Sequence, residues 1–509
     1  MPEKQSTLTA ADNVISLDGK RIQLGALDLG SNSFHLLVAQ ESNGRIQVLD
    51  KHKEMVRLAA GLDENNQLSK QACERALDCL DRFAQRLRPL ETENVRVVGT
   101  NTLRKAQSKN FLKQAESILG HKIDIISGHE EARLIYLGVC HDLGTTEQRR
   151  LIVDIGGGST ELVVGQKLTP ELLDSLYMGC VSMTQSCFAN GKITNSNFTR
   201  AIEQTLVELQ PVAKQYIHKG WQVAVGTSGT INTVADVIAK EYDSTTITPE
   251  LLEKLRQRLC EFDTMDAIDL DGLSEERKPV FTGGVAILTG VFQALGILEM
   301  TTSQSALREG LIFDLIGRQH HDDARDHTVE HLMNRFSVDH SQAREVRETA
   351  ISLLSQVALN WNLTSSRTKH LLAWAADLLE IGMDISHGGY HKHGAYLIDN
   401  MDMPGFSDED QTQISMLVRC HRRKLSRDGF SEDDVYLPRI ACLLRIAALL
   451  HRDRSHESLP HINAAADKEK LELLIPKKWI KNHPLTALDL DNEKVYLEAF
   501  NIELSVKTV

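Results

Sequence analysis

The sequence predicts an α/β fold in which two similar lobes with duplicated phosphate loops are followed by an all-α domain and a small α+β domain. Three observations carry this. A strand, a turn of small residues and a second strand occur twice, as Leu27–Val38 and Val153–Val164. Apolar β-branched runs alternate with segments of helical periodicity through the first three hundred or so residues. Beyond the polar, aperiodic stretch Gly317–Asp326 the pattern is almost wholly helical. The expected divisions are a flexible head at 1–20, lobes at 21–136 and 137–317, a helical domain at 318–468 and a terminal domain at 469–509.

The second copy, Val153-Asp154-Ile155-Gly156-Gly157-Gly158-Ser159-Thr160-Glu161-Leu162-Val163-Val164, is an apolar run broken by a glycine triplet, which reads as a β-hairpin with a phosphate-sized turn. Glycines leave backbone N–H groups bare to an approaching anion. Asp154 and Glu161 flank the turn where a divalent cation needs carboxylates. Laid over the first copy, Asp28 matches Asp154, Gly30 matches Gly156, Ser33 matches Ser159 and Leu36 matches Leu162. Such a repeat sets two like lobes face to face, each offering a loop to one cleft. Two unrelated tight hairpins are the plainer alternative, and the paired Asp-x-Gly…Ser pattern counts against it.

In chain order, Ile22–Leu27 enters the first loop, Phe34–Gln40 returns, and Ile46–Leu58 suits a third antiparallel strand. Leu68–Leu87 has helical spacing and Val95–Val98 is a short strand. Two strand-to-helix junctions follow. At Gly99–Arg104, a helix start with Arg104 suits a phosphate clamp, against a threonine-capped helix with a solvated arginine. At Ile123–Leu134, a strand delivers Glu130 and Glu131 to a first helical turn. Adjacent helical residues diverge, so the two cannot share one target. One complements the helix dipole and the other is available as a base. The second lobe continues through helical Asn197–Gln215 and the strand Gln222–Val225 into a third small-residue turn, Gly226-Thr227-Ser228-Gly229-Thr230. A plain strand-to-helix turn competes there with a cleft-closing loop.

Composition narrows the partners. The chain has 509 residues, 41% apolar and 25% charged, as in ordinary globular proteins of several units. A net charge of -13 argues against a general nucleic-acid or anionic-membrane binder. Eight cysteines without metal spacing point to a reducing compartment. Met1–Asn13 lacks a signal-peptide core, and the apolar run Gly283–Leu298 is short of the ~20 residues of a membrane helix. That run reads as a buried helix of the second lobe, and a cytoplasmic location is expected.

With both loops and Ser127-Gly128-His129-Glu130-Glu131-Ala132-Arg133 in view, the chain resembles the bacterial exopolyphosphatase / guanosine pentaphosphate phosphohydrolase family. That family shares its fold with actin, sugar kinases and chaperone ATPases. The resemblance also runs through Asp28–Ser33, Thr102–Arg104, Met178–Val181, Gly226–Thr230 and Ala306–Gly310. It implies that Glu131 is the base activating water, with Asp154 and Glu161 at magnesium or manganese. Asp28, Gly30, Ser31, Asn32 and Ser33, with Arg104, Gly156, Gly157, Gly158, Ser159, Thr160 and Gly229, would hold phosphates. The implied activity removes the terminal phosphate of a phosphoanhydride chain, and a homodimer is expected.

Two substrates are open. The glycine triplet and Ser274–Lys278 look like the polyphosphatase branch. Val56–Leu62, Gly220-Trp221 and Pro476–Trp479 with His483–Leu485 look like the guanosine pentaphosphate branch, which is preferred. A kinase or a nucleotide sensor of the same fold is more distant, and intact Asp28, Glu131, Asp154 and Glu161 count against a sensor.

Trp374–Gly382 with His387, His391, His393 and His421 resembles the helical HD-type domain of the long family members. Leu379-Glu380 stands where the metal-binding His-Asp pair would be, and leucine cannot ligate, so no metal is expected there. Arg419, Arg422, Arg423 and Lys424 form the densest basic run, read as a site for the distal part of a polyanionic substrate or as a solvated helix face. Leu471–Ile475 and Tyr496–Leu504 look strand-like.

Overall fold

The computed structural model describes residues 8–9, 22–42, 45–320, 322–425, 427, 429–430, 434–455 and 458–509. Apart from Leu8–Thr9, the expected flexible head therefore lies outside the described residues. The chain forms two compact units, Met1–Asp323 and Ala324–Val509.

The first unit holds two sheets. One contains β1 (Leu8–Thr9), β2 (Ile22–Leu29), β3 (Phe34–Ser42), β4 (Arg45–Glu54), β5 (Val95–Gly99) and β6 (Ile123–Ile125), in the order β1-β4-β3-β2-β5-β6. The other contains β7 (Arg150–Ile155), β8 (Thr160–Gln166), β9 (Thr169–Leu176), β10 (Val223–Thr227) and β11 (Thr301–Thr302), in the order β11-β10-β7-β8-β9. Each has an antiparallel meander, β2-β3-β4 or β7-β8-β9, continued by two parallel strands. The duplication read from one loop therefore extends to the topology of the whole lobe.

Both faces of each sheet are covered, which is why the central strands are apolar throughout. Alternate residues of β2 enter two cores, Leu24 and Ala26 one and Leu27 and Leu29 the other. Ile152 of β7 likewise enters one core while Leu151, Val153 and Ile155 enter another. The shared core lies between the sheets and contains the helices Gly128–Leu143 and Leu307–Gln319. By chain order Leu307–Gln319 was expected in the second lobe, yet it packs on Gly128–Leu143 and on β2. Glycines allow that approach. A Cβ on Gly310 would overlap the Leu134 carbonyl, and one on Gly138 the Ala306 carbonyl. Gly310→Ala is expected to cost about 1–3 kcal/mol through overpacking, read as a lower denaturant midpoint at unchanged slope.

The helix Lys278–Leu295 is 72% buried and packs in the second-lobe core. Among the described residues it is the one helix long and apolar enough to cross a membrane.

The second unit is helical through Tyr436–Leu450 and ends in a sheet of β12 (Asn463–Asp467), β13 (Lys470–Ile475) and β14 (Glu503–Thr508). The separate terminal domain expected at 469–509 is not a separate body. Leu471, Leu473, Ile475 and Leu504 share one core with Trp361, Leu371 and Ile440. Tyr496 and Leu497, expected in a strand, close the helix Pro484–Leu497, and β14 begins only at Glu503.

Candidate active site

The site forms where the two hairpins meet. Across β2 and β3 Asp28 faces His35, and across β7 and β8 Asp154 faces Glu161. The turns between these pairs, Gly30–Ser33 and Gly156–Ser159, touch. A Cβ on Gly157 would lie 3.2 Å from the Ser31 Cβ, and one on Gly158 3.2 Å from Asn101 Oδ1. Asn101 Nδ2 donates to the Gly158 carbonyl at 3.1 Å, and Thr102 Oγ1 donates to Ser31 Oγ at 2.8 Å. The residues after β5 thus lock one loop to the other.

A cleft of about 530 Å³ opens over the loops. The structure brings to its wall Asp28, Gly30, Ser31, Asn32 and Ser33 with Gly156, Gly157 and Ser159, and adds Glu131, Asp154, Glu161 and Gly229. Three expected site residues are placed elsewhere. Gly158 packs on Asn101, and Thr160 is fully buried with its hydroxyl donating to the Met178 carbonyl at 2.7 Å. Arg104 turns its guanidinium to the Ile126 carbonyl and to Glu131 Oε2, 3.5 Å away, and is not among the residues of the cleft wall.

The glutamate pair is separated by its partners. Ser127 caps the helix by accepting from the Glu130 N–H at 3.1 Å. Glu130 is fully buried and held by Arg133 Nε at 2.7 Å and Arg96 Nη2 at 3.3 Å. Arg96 and Arg133 also hold Asp314. Burial works upward on the Glu130 carboxyl, but the two arginines outweigh it and keep it below the usual range. Glu131 is 8% exposed, and its Oε2 has no hydrogen-bond partner among the described residues. Burial lifts its pKa to about 8, with Arg104 opposing and Asp28 and Asp154 adding.

Three more carboxyls crowd the cleft. Burial raises Asp28 to about 7 against the pull of Arg308, and its buried Oδ1 has no hydrogen-bond partner among the described residues. Burial raises Asp154 to about 6, although Ser228 Oγ donates to its Oδ2 at 2.5 Å. Glu161 lies well above its ordinary value through burial and then its neighbours Glu131 and Asp154, while Ser175 Oγ donates to it at 2.8 Å. Like charges drawn together out of water are kept when a cation or a transferable proton joins them. Among the described residues no three His, Cys, Asp or Glu side chains converge on one point. One or two carboxylates, with phosphate oxygens and water, are the usual protein share for magnesium.

The cations facing these acids are ones that sequence reasoning left out. Arg277, Arg308, Lys51 and Lys53 line the cleft. Arg308 and Arg277 stood in noted motifs, but nothing local marks an arginine as cleft-facing. Arg308 Nε donates to Glu309 at 2.8 Å and its Nη1 to His35 Nδ1 at 2.8 Å. His35 Nε2 lies 2.7 Å from Ser33 Oγ. Burial, then Arg308 and Lys53, holds the imidazole well below its ordinary pKa, so it is neutral. Because an arginine only donates, Nδ1 accepts, and Nε2 carries the proton that goes to Ser33 Oγ. The Ser33 hydroxyl hydrogen is then free to point into the cleft. At the third turn Ser228 has φ 64°. A Cβ on Gly229 would overlap the Arg277 guanidinium, so glycine leaves that arginine room to cross the turn.

The basic run lies in the second unit and does not form one helical face. The helix ends at Cys420, with Arg419 exposed on it. Arg422 and Arg423 lie beyond it on the wall of a separate cavity, and Lys424 is exposed.

Residues 37–319 match the family model for the Ppx/GppA phosphatase family, and residues 324–494 match Ppx/GppA phosphatase, domain III. A guanosine-5'-triphosphate,3'-diphosphate pyrophosphatase of Aeromonas hydrophila is 40% identical over 470 residues, 91% of this chain and 95% of that protein. One of Pseudoalteromonas translucida is 38% identical over 92% of this chain and 95% of its own length. Among solved structures, the Aquifex aeolicus PPX-GPPA enzyme superposes with a TM-score of 0.50 at 25% identity, covering 58% of this chain and 99% of that one. A Cytophaga hutchinsonii exopolyphosphatase gives 0.53 at 24% identity, covering 58% and 98%, and shares the fold.

Proposed function

The chain belongs to the Ppx/GppA phosphatase family, and from that premise we propose that it hydrolyses the terminal phosphoanhydride bond of guanosine pentaphosphate, releasing phosphate and guanosine tetraphosphate. The observation that carries the mechanism is Glu131: a buried carboxyl on the wall of a cleft floored by the two small-residue turns, with the Arg104 guanidinium 3.5 Å from its Oε2.

The terminal phosphate sits over Gly30–Ser33 and Gly156–Ser159, where N–H groups and the Ser33 hydroxyl receive its oxygens. Arg277, Arg308, Lys51 and Lys53 offset its charge. Glu131 orients a water and takes its proton as the oxygen attacks phosphorus, and the bridging oxygen leaves with the guanosine tetraphosphate. Phosphoryl transfer needs little else beyond position and charge. Magnesium or manganese fits the acidic side of the cleft, held by Asp154 and Glu161 with Asp28 nearby, and when bound supplies further charge neutralisation at the phosphate oxygens.

Release of phosphate from inorganic polyphosphate is the second reading. It is favoured by a cleft whose wall holds no Phe, Tyr or Trp among the described residues to stack a base. Initial rates of phosphate release on guanosine pentaphosphate and on polyphosphate, measured side by side, decide between them. No release from either would sink both. We place the protein in the cytoplasm, in keeping with eight unbridged cysteines, and as a homodimer, to be read by light scattering.

Arg308→Ala is expected to lower kcat/KM about a hundredfold, because it removes a cleft cation and frees the imidazole that orients Ser33. His35→Gln keeps an amide donor in reach of Ser33 and should lose about tenfold. Equal losses in the two variants would show that the arginine acts only through the histidine and not as a cleft cation.

A further inference from the structure

The second unit encloses a cavity of about 720 Å³, within the ~300–1,000 Å³ range of small-molecule sites. Nothing in the phosphate chemistry of the first unit uses it. Ala343, Ala376 and Ala448 leave its space open, and Tyr390 and Tyr496 supply flat walls.

Two buried acceptors in it lack donors. Gln342, 5% exposed, donates through Nε2 to the His451 carbonyl at 2.8 Å, while its Oε1 has no partner among the described residues. Asp377, also 5% exposed, receives Arg347 Nη1 on Oδ2 at 2.8 Å, and its Oδ1 has no hydrogen-bond partner among the described residues. Buried polar atoms are nearly always satisfied, so both ask for an N–H or O–H group from elsewhere.

The more exposed part of the wall asks for an anion. Arg445, Arg452 and Arg454 are each paired, with Glu493, Asp489 and Glu380. Arg422 and Arg423 have no carboxylate partner among the described residues. Arg422 lies 4.5 Å from the Tyr390 ring centroid, which holds its charge in place. Arg423 has φ 66°, a conformation costly for a long side chain, and Arg445 Nη2 fixes its carbonyl at 2.9 Å. The strain is held by neighbours that also build the cavity.

A ligand answering all these features has a flat body, N–H donors along one edge and an anionic tail. We infer that this cavity binds a purine nucleotide, with the base edge at Gln342 and Asp377 and the phosphates at Arg422 and Arg423. Guanine presents two adjacent N–H donors to a carboxylate and adenine one amino group, so the base preference is part of the measurement. The inference stands apart from the reading of the first-unit cleft.

The test titrates the full chain with GDP, ADP and pyrophosphate, following binding by calorimetry and hydrogen exchange peptide by peptide. A purine nucleotide should protect residues 338–346 and 376–390. Replacing both Arg422 and Arg423 by Ala should weaken that binding at least tenfold and remove the protection, leaving any protection of Gly30–Ser33 and Gly156–Ser159 in place. Gln342→Leu should weaken the nucleotide but not pyrophosphate. If the double variant melts early, Arg423→Gln at its exposed position should still weaken the nucleotide severalfold. Protection confined to the first-unit loops, or pyrophosphate binding the cavity as tightly as either nucleotide, overturns the inference.

Discussion

Glu131→Gln should slow phosphate release by about 10²–10⁴-fold with the fold intact, because the amide keeps the size of the carboxyl but cannot accept a proton. Its melting temperature should equal or exceed that of the parent. The carboxyl is buried, and burial with Asp28 and Asp154 outweighs the Arg104 guanidinium 3.5 Å from Oε2, so losing the charge relieves more than it removes. Glu130→Gln should do the reverse. It removes a charge that Arg96 and Arg133 surround and leaves Arg133 with Asp314, and Arg96 with Asp314 and the more distant Asp124, which costs about 3–5 kcal/mol by analogy with broken buried pairs. Phosphate-release rates and thermal melts on both variants separate the roles. A Glu131→Gln enzyme that keeps near-parental turnover, beside an inactive but stable Glu130→Gln, would mean the base is the other carboxylate.

That pair marks where the sequence stops informing. The helix start was legible because Ser127 and two acidic residues are local signals. Which acid faces the cleft depends on Arg96 in β5 and on Asp314 near the C-terminal end of the first unit, both remote in sequence. The two lobes were legible for a different reason. Asp28-x-Gly30 and Asp154-x-Gly156 keep the same backbone requirement twice, and the sheet orders repeat around them. Arg104 followed the general expectation that an arginine beside a helix start clamps a phosphate, but the Ile126 carbonyl and Glu131 hold it. Arg277 and Arg308, which do reach the cleft, come from late segments that only the tertiary fold returns to the loops. The terminal sheet was misjudged as a body of its own because a strand pattern reveals an apolar face but not what covers it.

Removing divalent cations should abolish turnover and also change how stability depends on pH. Asp28, Asp154 and Glu131 have folded pKa values of about 7, 6 and 8, and Glu161 is raised as well, against ordinary carboxyl values near 4 in the unfolded chain. The folded, metal-free protein therefore binds more protons than the unfolded one between about pH 4 and 8, and stability falls as pH rises through that window. At pH 8 Asp28 and Asp154 are charged and Glu131 about half so, and a divalent ion at a hundred times its dissociation constant should return about 2.7 kcal/mol. At pH 5 the protons already occupy the acids, so the same ion should hardly move the melting temperature. Asp154→Asn should raise the metal concentration for half-maximal activity at least tenfold and make the metal-free protein more stable at pH 8, since one repelling charge is gone. Melting curves with and without magnesium at pH 5 and pH 8, beside turnover in chelator, give the answer. Chelator-insensitive turnover, or an equal magnesium shift at both pH values, would detach the metal from these four carboxyls.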